Sequence, residues 1–403
     1  MKKNKSKKKG FLKFLKIFVA VIVVIAAVTA AVNFALYKKE MSYAASFKAV
    51  ENGSELVPTV DENGYYTFTT DRDFRILQLS DVHIGCGWMS FGKDKMSLNA
   101  VAALITAEKP DLVVVTGDIS YPVPFQAGTF NNKISSEVFI ELMESLGVYW
   151  TVIFGNHDSE SYSYYSTEAI AAQFADKNLK YCLFSAGPED VDGQGNHIIN
   201  VRNSQGKLVQ SLVMMDSHSY TDGDYFGIFW KYDNIHENQI EWYKNEIAAL
   251  SEGGETVKSL LFIHIPPTAM KTAYDEYLAN GETENVKYVY GEVNEKDPYV
   301  YCPIHDDGFF EVLLSVGSTQ GIFFGHDHLN NIALNYKGIQ MAYTKSIDYL
   351  AYPGISKEGD QRGGTLITID VNGGFESQLI SYYDAKYVSQ YEKEEVTLTS
   401  PAN

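Results

Sequence analysis

The stretch from Phe74 to His83, FRILQLSDVH, decides how the rest of the chain is read: a short apolar run suited to a strand stops abruptly at residues able to bind a metal. The pattern recurs at DLVVVTG (111–117), VYWTVIFG (148–155), SLLFIHI (259–265) and GIFFG (321–325). Continuous apolar runs of this length fit strands buried on both faces, as in a sheet covered by helices. Helical periods are expected at 97–108 (SLNAVAALITAE), 135–146 (SSEVFIELMESL) and 308–316 (GFFEVLLSV), and the alternation argues for right-handed β-α-β units in an α/β fold. Later segments, HIINVR, KLVQSLVMMD, NIALNY, QMAYTK and GTLITID, read as strands joined by short turns and suggest a second, more antiparallel sheet.

Each of the five runs ends at, or near, residues of metal-binding type: Asp81-Val82-His83, Gly117-Asp118, Gly155-Asn156-His157-Asp158, His264, and Gly325-His326-Asp327-His328. In open α/β sheets ligands gather outside the carboxyl ends of the strands, where these residues would converge. Any one of them alone is more often a cap or a turn residue. Five of the nine histidines fall in these segments, a concentration that ordinary capping does not produce. Oxygen and imidazole donors without thiolate suit Mn, Fe or Zn in a partly open site, whereas a closed structural zinc site calls for four ligands, often cysteine. The candidate ligands Asp81, His83, Asp118, Asn156, His264, His326 and His328 are too many for one ion. Two divalent or mixed-valence ions sharing a carboxylate fit better, at the roughly 3.5–4 Å separation of two-metal hydrolases. Glycines before Asp118, Asn156 and His326 fit a backbone that must turn sharply and approach the ions closely.

The N-terminus carries a separate signal. Residues 1–16, MKKNKSKKKGFLKFLK, hold eight lysines and no acid, and the uncharged apolar run from Ile17 to Tyr37 is long enough to span a bilayer as a helix. Lysines on that flank predict that residues 1–16 stay in the cytoplasm, that 17–37 form a single-pass transmembrane anchor, and that Lys38 onward lies outside. The alternative is a signal peptide cleaved among the small residues 26–31, giving a secreted protein; the length of the run favours the anchor. Residues 38–71 read as a tether and a first hairpin with its turn near Asn63-Gly64, and 386–403 as a loosely ordered polar tail. The net charge of −18 becomes −26 once the eight lysines of residues 1–16 are set aside. So acidic a body repels polyanions and argues against extended nucleic-acid binding. Cys86, Cys182 and Cys302 cannot all pair within one chain and read as small core residues. Oligomeric state is not legible in the sequence.

The order D-x-H, G-D, G-N-H-D, H and G-H-x-H resembles the calcineurin-like metallophosphoesterase superfamily over roughly residues 72–385. Within it, ILQLSDVH, EKPDLVVVTGD, GPEDVDGQGNH and FFGHDHLNN look like the single-domain, purple-acid-phosphatase-like branch known from plants and fungi. The resemblance implies a four-layer α/β/β/α sandwich of two mixed sheets, here preceded by the N-terminal helix. It also implies hydrolysis of a small phosphate ester by a metal-bridging hydroxide. Carried over by position, it puts Asp81, His83 and His328 on one metal, Asn156, His264 and His326 on the other, and Asp118 between them. His157 would serve the leaving group, with Asp158 orienting it.

Purple acid phosphatases proper carry G-D-x-x-Y, whose tyrosinate binds iron(III), and lack a histidine at the D-x-H position. This chain has both Gly117-Asp118-Ile119-Ser120-Tyr121 and His83. Neutral imidazole binds without ionising a phenol of pKa about 10, which favours His83 and leaves Tyr121 as the alternative ligand or an ordinary wall residue before Pro122. His218, beside Asp216, could sit near the site, though a cap or turn role is simpler; His197, His236 and His305 read as surface or packing residues. Substrate choice is expected in loops at 121–134, 186–196, 217–234 and 268–307. A function of another class also remains open, a metal-stabilised surface interaction module with vestigial hydrolysis.

Overall fold

The computed structural model describes residues 2–251, 253–295, 299–352, 354–355 and 360–396. Helix α1 (Lys2–Ala44) precedes β1 (Thr59–Val60) and β2 (Tyr66–Thr69). Alternating units follow: β3 (Phe74–Leu79), α2 (Phe91–Glu108), β4 (Leu112–Thr116), α3 (Asn132–Leu146), β5 (Trp150–Ile153) and α4 (Thr167–Phe174). The second half runs β6 (His197–Arg202), β7 (Leu208–Met214), α5 (Glu237–Leu250), β8 (Ser259–Phe262), α6 (Thr268–Asn280), β9 (Val286–Tyr290) and α7 (Phe309–Val316). It closes with β10 (Thr319–Phe324), β11 (Ala333–Tyr336), β12 (Ile339–Tyr343), β13 (Gly363–Ile369) and β14 (Phe375–Ser381).

These strands form two mixed sheets, ordered β14-β13-β3-β4-β5 and β1-β2-β6-β7-β8-β10-β12-β11-β9. Side-chain alternation explains why they stack. Along β3, Ile76 points into the core between the sheets while Leu77 and Leu79 face the helices; along β8, Phe262 points inward and Leu261 outward. Both faces of these strands are therefore buried, and their sequences are continuously apolar. Leu104 of α2 and Leu142 of α3 cover the smaller sheet, and Tyr243 of α5 and Leu313 of α7 cover the larger. The result is the expected α/β/β/α sandwich. The hairpin also forms, with Thr59 opposite Thr67 and Val60 opposite Tyr66.

The partition of strands differs from expectation. The five apolar runs do not share a sheet: β3, β4 and β5 pair in parallel in one, whereas β8 and β10 pair in parallel in the other. GTLITID, expected in the second sheet, becomes β13 and joins the first, antiparallel to β3 with Leu366 opposite Leu77. A strand buried on both faces carries no mark of which sheet it enters. Residues 268–307, expected as a loop, contain α6 and β9.

Helix α1 also departs from the expected tether. It continues through Lys38 and Lys39 to Ala44 and lies on α3 and α2, with Ala44 and Glu40 fully buried and Tyr37, Met41 and Tyr43 packed on the core. Tyr37 donates to Glu137 at 2.7 Å, and Asn33 accepts from the Trp88 N–H at 2.9 Å and donates to the Gly128 carbonyl at 3.0 Å. Within α1, Gly10–Ala44 is long and apolar enough to cross a membrane, and none of its most apolar window is buried in the protein. The tail is not loose up to Glu394. Tyr387 is buried and donates to Glu108 at 2.6 Å, Ser389 and Gln390 bond Asn99, and Tyr43 of α1 donates to Gln390 at 3.3 Å. Residues 397–403 lie outside the described part.

Candidate metal centre

At the carboxyl end of β3 the chain turns at once into an unusual backbone. Asp81 (φ 54°) and His83 (φ 51°) are both left-handed, as are Asp118 after β4 (φ 54°) and His326 after β10 (φ 78°). Each such residue costs on the order of 1–3 kcal/mol unless its surroundings fix it. The surroundings do so: the Asp81, His83 and Ile84 N–H groups donate to the carbonyls of Gly117, Asp118 and Ile119 at 3.1, 3.0 and 2.7 Å, so the loops after β3 and β4 run in register. Gly155 and Gly325 permit the remaining approach. A Cβ at Gly155 would strike the Asp118 carboxylate, and one at Gly325 would strike the Ser80 hydroxyl.

The seven residues expected as ligands converge here, six of them buried at their strand ends and His326 partly so. Asp118 Oδ2 lies 3.2 Å from His83 Nε2 on one side and 3.3 Å from His264 Nε2 on the other. His328 Nε2 is 3.5 Å from Asp81 Oδ1, His264 Nε2 is 3.2 Å from Asn156 Oδ1, and the His264 and His326 ring centres are 5.2 Å apart. Asp81, His83, Asp118 and His328 each offer a donor atom within 4.8 Å of the others, a spacing that one cation can bridge. Burial by itself would raise the Asp118 carboxyl, but His264, His157 and His83 outweigh it and hold the group well below the ordinary carboxylate range. Burial would likewise lower His83 and His264, yet Asp118 and its neighbouring acids push both up to about 9. Acid and imidazole thus sit interleaved away from water, an arrangement in which cation binding would displace protons.

The profile described as calcineurin-like phosphoesterase matches residues 74–330, which span these strand ends from β3 to the histidine pair after β10. The chain belongs to the calcineurin-like phosphoesterase family. "Probable inactive purple acid phosphatase 14" of Arabidopsis thaliana is 30% identical over 314 residues, 71% of this chain and 73% of that one. "Phosphatase DCR2" of Saccharomyces cerevisiae is 27% identical over 315 residues, 71% of this chain and 48% of that longer one. A crystal structure of a dimetal phosphatase from Danio rerio covers 77% of this chain and 100% of its own at 13% identity, with a TM-score of 0.48.

One site residue of this calcineurin-like phosphoesterase family member departs from expectation, and two were missed. Asp158 does not orient His157. Its oxygens accept the N–H groups of Gly155, Asp118 and Ser120 at 2.8–2.9 Å, which pins the turns carrying the other residues. Burial and the nearby Asp118 raise its carboxyl to about 6. The partner of His157 is Glu160, with Oε1 2.6 Å from Nδ1, a residue whose only signal in sequence was its position three residues on. Asp348, in the loop after β12, is the second missed residue. It faces His83 Nδ1 at 3.4 Å and His328 Nδ1 at 3.2 Å while accepting the Leu350, Ala351 and Tyr352 N–H groups, so it sets the direction of both imidazoles.

Tyr121 packs its ring 4.9 Å from those of His83 and His157 but donates its hydroxyl to Gln126 at 2.9 Å. Burial, Asp348 and Glu160 raise its phenol, which opposes ionisation. Tyr220, accepting from Asn156 at 2.9 Å, and Tyr232, edge-on to His326 at 4.4 Å, wall the far side. His218 turns away to Gln239 at 2.7 Å and stacks on His236 at 4.1 Å, and Asp216 caps the turn by accepting from the His218 N–H.

Proposed function

We propose that the protein is a membrane-anchored metallophosphoesterase that hydrolyses a small phosphate ester outside the cytoplasm. The observation that carries this reading is Asp118, one carboxylate shared between His83 on one side and His264 on the other. A pair of cations needs such a bridge. The donors fit: Asp81, His83 and His328 would hold one ion, Asn156, His264 and His326 the second, and Asp118 both, with Mn, Fe or Zn suited to oxygen and imidazole. When bound, such ions supply an activated water and offset charge on the phosphoryl oxygens.

The chain's own residues do the rest. With Nδ1 engaged by Glu160, His157 presents Nε2 to the cleft and donates its proton to the departing oxygen, while the carboxylate supports the imidazolium. Asp158 holds the turn that aims His157, and Asp348 fixes the rotation of His83 and His328. Gly10–Ala44 anchors the body, with cleavage within 26–31 as the secreted alternative.

The word "inactive" in the names of plant relatives favours a second reading, the interaction module whose metals are structural. Turnover of a chromogenic phosphate ester by the full chain loaded with Mn, Fe or Zn separates the two. Activity abolished by a chelator is the expected result. A folded, metal-loaded protein inert with every metal would overturn the enzyme and leave the module.

A further inference from the structure

The packing of α1 on α3 settles which edge of the body meets the apolar stretch. Helix α3 starts at the carboxyl edge of the smaller sheet, where Asn132 donates to the Asp158 carbonyl at 2.8 Å, and ends at the opposite edge before β5. Helix α1 runs parallel to it: Val50, just past its end, donates to Leu146 at 2.8 Å, Tyr37 reaches Glu137, and Asn33 is level with Trp88 and Gly128. Moving backward along α1 is therefore moving toward the metal centre's edge. The exposed apolar side chains from Phe34 back to Phe11 project beyond that edge.

Four stretches within the loops at this edge share one property. Residues 84–92 (IGCGWMSFG), 121–131 (YPVPFQAGTFN), 161–166 (SYSYYS) and 225–230 (YFGIFW) contain no charged residue, in a body of strongly acidic composition. They instead expose Trp88 (53%), Phe125 (87%), Tyr164, Ile228 and Trp230 (61%). A site open to bulk water has no need of an uncharged aromatic rim, and tryptophan and tyrosine are the side chains that settle at a membrane interface. Lys38, with Nζ 5.3 Å over the Tyr37 ring, follows Asn33 by about a turn and a half of α1 on the body side of the rim, where a long cationic side chain can reach lipid phosphates.

We propose that the mouth of the metal centre rests on the bilayer surface and that its substrate is a phosphate ester carried by a membrane lipid. This rests on the reading of the site as a phosphoesterase and of α1 as an anchor. Docked as it is, α1 keeps the rim against the headgroups, and a lipid phosphate reaches the cations without leaving the membrane plane.

The test uses the full-length, metal-loaded protein in phosphatidylcholine vesicles. Quenching of tryptophan fluorescence by brominated lipid is measured first, and then turnover of phosphatidic acid and phosphatidylglycerol against glycerol phosphate and glycerophosphoglycerol, the same headgroups without chains. Bromolipid should quench the wild type, and the Trp88→Phe/Trp230→Phe variant, which keeps the buried Trp150 and Trp242, should lose most of that quenching. The lipid forms should be cleaved at least about tenfold faster, and Phe125→Ser with Ile228→Ser should remove about that factor while leaving chain-free turnover within about twofold. Absence of quenching in the wild type overturns the placement whatever the activity. Quenching together with equal turnover of lipid and chain-free esters overturns the lipid substrate. Quenching with no turnover of any ester sinks the phosphoesterase reading, and the substrate with it, while the bilayer contact stands.

Discussion

His157 stands apart from the other site histidines because its partner is a carboxylate that touches no candidate metal ligand, Glu160 at 2.6 Å. Replacing His157 with alanine should leave metal content unchanged and lower kcat by about 10²–10⁴. The loss should be larger for an alkyl phosphate, whose alkoxide leaves poorly, than for a nitrophenyl phosphate; equal losses, or a parallel loss of metal, would remove the general-acid role. A second residue makes a statement about pH. His197 is buried, with Nδ1 donating to the Gly195 carbonyl and Nε2 accepting from Thr151, and burial holds it down to about 4 despite the carbonyl bond. The unfolded chain takes up that proton near pH 6.5, so stability falls as pH drops from about 6.5 to about 4, by at most roughly 3 kcal/mol from this group. Denaturant midpoints at pH 7 and 4.5 should therefore diverge less in His197→Asn than in the wild type. The seven candidate ligands were legible because each sits directly at the end of an apolar run. Glu160 and Asp348 were not, since a carboxylate within a loop looks the same whether it faces a histidine or solvent.

At the scale of elements, existence was legible and partnership was not. The runs at β8 and β10 announce buried strands, but nothing in SLLFIHI or GIFFG states that they pair with each other rather than with β4. Lys38, Lys39 and Glu40 likewise look like a solvated tether, although Glu40 and Ala44 are buried and Met41 packs on the core while the two lysines stay exposed. What the elements demand of their junctions is testable at two glycines. Gly155→Ala should lower stability by about 1–3 kcal/mol through overpacking and weaken metal retention, because its Cβ meets the Asp118 carboxylate. Gly92→Ala, inside α2 with open space around it, should be neutral or stabilising by up to about 1 kcal/mol. Thermal melts with and without metal on both variants check the contrast; a Gly155→Ala protein as stable and as well loaded as the wild type would contradict the close approach.

For the whole molecule, the eight lysines before Ile17 predict that the body faces outward. Protease added to intact cells should digest the domain, and protection until lysis would reverse the orientation. One further consequence follows from the contact of Tyr43 with Gln390 and of Asn99 with Ser389 and Gln390. Helix α1 precedes the body and the segment around Gln390 follows it, with Tyr43 and Gln390 347 residues apart along the chain. The layer that seats α1 on the body therefore cannot close until the residues around Gln390 have been made, and until then the surface on which α1 lands is unfinished. A chain cut short near residue 385 would leave that seam open, with Tyr43 and Asn99 stripped of the partners that close it.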